Sequence, residues 1–97
     1  MKTLPLIITK QAFTEVKNII EHKKIPVGYY LRIGIKGGGC GAAGYFLGFD
    51  KPGEKDESFE FEGIKILIDK RHMMYLFDLE VDFVERRDEK GFTFTKN

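Results

Sequence analysis

The chain has 97 residues, enough for one domain and too few for two. Charged residues make up 32% but cancel to a net +1, so no global field favours nucleic acid or a membrane surface. A single cysteine excludes an internal disulfide framework. The expectation is a single domain over 1–97 in a reducing cytoplasm, with no nucleic acid and no membrane among its partners.

Residues 4–8 are a short apolar run that suits a strand. Pro5 interrupts it and no small-residue cleavage site follows, so it does not read as a signal peptide. Thr9 offers a hydroxyl to orphan amides as a helix N-cap. Ala12, Phe13, Val16, Ile19 and Ile20 then recur at helical spacing, which predicts a helix over 10–22 that Pro26 keeps from extending. Residues 29–36 alternate, with Tyr29, Leu31, Ile33 and Ile35 on one face and Tyr30, Arg32, Gly34 and Lys36 on the other. Residues 43–50 read as a second strand, bulged at a glycine, and 51–57 as an exposed Pro-Gly loop.

Residues 58–62 and 64–68 form a hairpin turned at Gly63. Asp69 is placed to cap a short helix over 70–77. A strand over 81–84, a charged turn over 85–90 and a last strand marked by Phe92 and Phe94 complete the chain. Runs of strands with two helices argue for an α+β, mainly β domain rather than alternating βαβ units.

Six of the eleven glycines fall between positions 37 and 48, and Cys40 stands among them in Gly37-Gly38-Gly39-Cys40-Gly41. Glycine lacks a Cβ, so such a stretch lets backbone or ligand approach a thiol closely. A small buried hydrophobe is the commonest fate of a free cysteine, and both readings stand at this point. A phosphate cradle would need a Lys-Ser/Thr pair opening a helix, and here a strand follows. A cysteine nucleophile would need a base from His22 or His72, the only histidines, and no third orienting group is apparent. The sequence therefore does not read as an enzyme. The acidic residues Glu54, Asp56, Glu57, Glu60 and Glu62 are broken by Lys55 and Phe residues and read as a solvated face.

At the glycine loop the sequence resembles the A-type iron–sulfur cluster carriers, the HesB-like and IscA-like assembly proteins. Residues 31–40, Leu-Arg-Ile-Gly-Ile-Lys-Gly-Gly-Gly-Cys, are similar to the family's strand and first cluster-binding cysteine. Gly48-Phe49-Asp50, residues 61–69, residues 81–85 and residues 91–94 follow in the family's order and spacing. The resemblance implies a compact, twisted HesB-like β-domain with one N-terminal helix and one short second helix. It also implies a homodimer or higher homo-oligomer, with assembly proteins and recipient apo-proteins as partners.

The sequence departs from the family pattern in three places. It ends at Thr95-Lys96-Asn97, where the pattern continues to a Cys-Gly-Cys pair; Gly41-Ala42-Ala43 replaces a usual Ser-Gly step; and Leu76-Phe77-Asp78 replaces Leu-Asp-Gly. Family ligands therefore carry over at Cys40 alone, as cofactor-binding and metal residue. An iron–sulfur cluster takes about four cysteine ligands, so one thiolate per chain leaves the set incomplete. The expected function is binding of iron or a labile iron–sulfur cluster through Cys40 at a subunit interface. The alternative is a non-metal interaction module on the same fold, with Cys40 a structural or redox-responsive thiol.

Overall fold

A computed structural model describes residues 3–36 and 44–96. In chain order the elements are β1 (Ile7–Ile8), α1 (Lys10–His22), β2 (Tyr30–Lys36), β3 (Gly44–Asp50), β4 (Asp56–Phe61) and β5 (Ile64–Asp69). A 3-10 turn (Lys70–His72), α2 (Met73–Leu76), β6 (Leu79–Glu85) and β7 (Lys90–Lys96) follow. The strands form two sheets, ordered β1-β6-β7 and β3-β2-β5-β4. Pairing is antiparallel except for β1 with β6 and β2 with β5.

The Thr9 cap forms as its hydroxyl predicts: Oγ1 accepts the Ala12 amide at 3.2 Å and donates to Asp82 across the fold. Behind it α1 occupies the predicted span and buries Ala12 and Val16 as it packs on β6. Leu31 and Ile33 from β2, Ile66 and Ile68 from β5, and Leu79 and Val81 from β6 join those two residues in one apolar cluster. Tyr45 of β3 stacks on Phe94 of β7 at 5.7 Å, tying the two sheets together. The other aromatic pairs also pack, Phe13 on Phe61 at 5.4 Å and Phe83 on Phe92 at 4.9 Å.

Several boundaries differ from the sequence expectation, each for a local reason. The strand over 4–8 shrinks to two residues. Pro5 has no amide to donate, and its carbonyl accepts from Asp78 at 3.0 Å. The predicted bulge in the second strand is absent: β2 and β3 keep unbroken register from Tyr30↔Asp50 to Lys36↔Gly44. The fourth strand starts at Asp56, inside the expected loop, because its pairing with β5 runs out to Asp56↔Asp69.

The hairpin turn is two residues, Glu62 at φ 51° and Gly63 at φ 84°, which suits the twist of the flanking strands. The predicted helix over 70–77 splits into the 3-10 turn and one turn of α-helix, and Phe77 is extended. Asp69 does cap it, accepting the Arg71 amide at 2.8 Å. Asp78 then adopts φ 64°, at the position where the resembled pattern has glycine. Aspartate is among the few residues that enter this region at modest cost.

Candidate functional site

The antiparallel β2–β3 hairpin is the frame of the predicted site. Its last described pair is Lys36↔Gly44, and the chain joining those strand ends is 37–43. Cys40, the predicted ligand, lies in that stretch, outside the described residues. The described residues show what holds the two strands that lead to it.

Alternation puts Leu31, Ile33 and Ile35 on the inner face of β2, and Arg32, Gly34 and Lys36 on the outer face. On that outer face Arg32 makes a fork with Asp56, through Nη1 to Oδ1 at 2.7 Å and Nη2 to Oδ2. Its Nε donates to Asp50 at 3.0 Å and Nη2 also donates to the Lys51 carbonyl at 3.2 Å. Asp56 further accepts the Gly53 amide at 2.6 Å, so one carboxylate stitches the 51–55 loop to the sheet. The side chains of Arg32 and Asp56 are only 16% and 6% exposed, which makes this a largely desolvated pair rather than a surface one. The Arg32 hydrogen bond holds the Asp56 carboxyl below its ordinary range, against the opposing push of desolvation. The same bond raises the Arg32 guanidinium.

The two histidines have different fates. His22, at the end of α1, is exposed and its Nδ1 donates to the Asn18 carbonyl at 2.8 Å. His72 lies over the outer face of β2, where its Nδ1 accepts the Ile35 amide at 3.3 Å. Its close approach requires Gly34. A Cβ there would lie 2.9 Å from His72 Nδ1 and 2.9 Å from Phe46 Cε1, closer than such atoms pack. Next to it, Arg71 binds Asp69 through both carboxylate oxygens and holds that carboxyl well below its ordinary range.

Among the described residues no three or more His, Cys, Asp or Glu side chains converge to hold a metal ion. Asp56, counted with the solvated acidic residues in the sequence, is instead committed to Arg32. The sequence gives little sign of that network. Its one local sign is a guanidinium at an outward position of an alternating strand, and its partners lie 18 and 24 residues away. From the sequence His72 reads as a surface or packing residue more readily than as a base, and its role as an acceptor for Ile35 depends on the turn that ends β5.

A two-sheet β-fold with two helices, built around a hairpin whose connecting chain carries a lone cysteine among glycines, defines the class. The family pattern described as iron-sulphur cluster biosynthesis matches residues 4–97, and the chain belongs to that family. The iron-binding protein IscA of Photorhabdus laumondii is 36% identical over 88 residues, 90% of this chain and 80% of its own length. The crystal structure of Escherichia coli SufA, a protein involved in biosynthesis of iron–sulfur clusters, superposes with a TM-score of 0.77 at 28% identity. That match covers 99% of this chain and 83% of SufA. The structure of IscA with a 2Fe–2S cluster shares the fold at the same TM-score of 0.77, with 24% identity over 94% of this chain and 84% of its own. Among the described residues no helix is long and apolar enough to cross a membrane.

Proposed function

We propose that this protein is a non-catalytic carrier that takes up iron or a labile iron–sulfur cluster as cargo, with the Cys40 thiolate as its own donor. The observation that carries the reading is the family match over 4–97, a span that includes Cys40 in the sequence between β2 and β3. The iron-binding relative at 36% identity supports the same cargo. With one thiolate among these 97 residues, a cluster needs further donors: a second copy contributing its own Cys40, oxygen or nitrogen ligands, small thiols such as glutathione, or a partner protein. A cargo held this way is easily given up, which suits delivery to apo-proteins in a reducing compartment. Assembly proteins and recipient apo-proteins are the proposed partners, and a homodimer is the proposed binding unit.

The test is anaerobic reconstitution with ferrous iron and sulfide, with and without glutathione, beside a Cys40→Ser variant. The expected result is visible thiolate-to-iron absorption in the parent protein, deepened by glutathione and lost in the variant. A chromophore absent from both proteins, or equal in both, overturns the reading and leaves an interaction module whose cysteine is an ordinary thiol.

A further inference from the structure

Four strands end the two sheets, β1 and β7 in one, β3 and β4 in the other. An open strand edge is a template for another strand, and three of these edges are blunted. β1 is two residues long, β4 carries Asp56, Glu57 and Glu60, and β7 has a lysine at each end. β3 is seven residues long and holds no charge and no proline from Gly44 to Phe49.

What β3 offers at that edge follows from its pairing with β2. The Ile35 amide donates to His72, away from β3, so Ile35 and Tyr45 are not a hydrogen-bonded pair. Register is unbroken, so Tyr45, Leu47 and Phe49 all turn their N–H and C=O groups away from β2. Among the described residues no strand lies on that side of β3. The side chains of these residues pack against the core yet stay half-buried. On the opposite face Phe46 stands between Gly44 and Gly48, and a Cβ built at Gly48 meets nothing within 4 Å.

We propose that β3 is the seam between two copies of this chain. Across a two-fold axis beside Leu47, a second β3 runs antiparallel to the first, with Leu47 opposite Leu47 and Tyr45 opposite Phe49. That register pairs the open N–H and C=O groups of all these residues and joins two four-stranded sheets into one. It sets Phe46 of each copy over Gly48 of the other, a ring covering a bare edge glycine. It also sets Asp50 of each copy opposite Gly44 of the other, one strand from that copy's exposed Lys36, so opposite charges meet on one face. Both matches are between β3 and itself, which selects a second copy as the occupant. The pairing names the interface of the homodimer proposed above and rests on that reading for its part in carrying cargo. It uses none of residues 37–43, so it stands whichever donors complete the iron site.

The experiment uses the full chain, reduced and free of metal, as parent, Gly48→Lys and Gly91→Lys. Gly91 lies on β7, another open edge, and a Cβ there also meets nothing within 4 Å, which makes it the control. Sedimentation velocity over a range of concentrations reads association, and circular dichroism checks the fold. The parent is expected to dimerise and Gly91→Lys to match it. Gly48→Lys is expected to raise the dissociation constant about tenfold, equivalent to about 1.4 kcal/mol. Amide exchange then locates the seam. In the parent Tyr45, Leu47 and Phe49 are expected to exchange more slowly as concentration rises, while Phe46 and Gly48, bonded to β2, stay constant. A monomeric parent, a dimer that Gly48→Lys does not weaken or that Gly91→Lys weakens equally, or the same concentration dependence at all these amides overturns the proposal. Should Gly48→Lys not fold, the exchange pattern of the parent decides alone. Every readout is taken without metal, so a failure of iron uptake bears on the proposed cargo alone.

Discussion

On its inner face β2 presents Leu31 and Ile33, both almost wholly removed from water among the apolar side chains of β5, β6 and α1. On its outer face the same strand presents Arg32 and Gly34, one forked onto Asp56 and the other lying beneath His72 and Phe46. Apolar burial is non-directional and scales with the area removed from water, so the inner face supplies stability without fixing the strand end closely. Hydrogen bonds to a guanidinium fork or an imidazole act at set distances and angles, so the outer face supplies placement. The difference matters because β2 ends at the segment that carries Cys40. What buries the strand and what fixes its outer contacts are largely separate sets of residues on one strand.

The inner face sets the largest expected effect. Ile33 is fully buried, and Ile33→Ala removes three carbons from a packed cluster, at a cost of about 3 kcal/mol. For a domain of this size each kcal/mol corresponds to roughly 4–8 °C in melting temperature, so calorimetry reads the loss directly. Asp56→Ala comes next, at about 2 kcal/mol. It strips a mostly buried guanidinium of its fork but leaves Asp50 and the Lys51 carbonyl as partners. Chemical denaturation of the two variants side by side checks the ranking. An Asp56→Ala loss as large as that of Ile33→Ala would erase the distinction between the faces.

The inner face was legible in the sequence and most of the outer face was not. Period-two alternation over 29–36 assigns Leu31 and Ile33 to the core, and helical spacing over 10–22 assigns Ala12 and Val16, because burial repeats with the geometry of the backbone. The Arg32–Asp56 fork joins residues whose strands share no local pattern, and only the β2–β5–β4 pairing brings them together. His72 was legible as a histidine in a short helix. Its use depends on that helix breaking into a 3-10 turn, a boundary effect that periodicity over so few residues does not resolve. Cys40 was read through its glycines and the family resemblance, and the described residues reach only to the strand ends on either side of it.

The smallest expected effect separates the faces by charge. Arg32 holds the Asp56 carboxyl below its ordinary value of 3.8, so the folded state favours the ionised form more than the unfolded chain does. The stabilisation from this group is then fully present above pH 3.8 and is lost as pH falls through the lower folded value. Asp69, depressed by Arg71, adds a loss of the same sign. A protonated Asp56 still offers a carbonyl oxygen to Arg32, so acid weakens the fork less than Asp56→Ala does. In Asp56→Asn the melting temperature is expected to lie below the parent's at neutral pH and to fall less steeply below 3.8, so that the two curves converge. Ile33→Ala, with no charge at stake, should track the parent at a constant offset. Parallel curves for all three proteins would mean that Arg32 does not govern the charge on Asp56, and that the outer face is held, like the inner one, by burial.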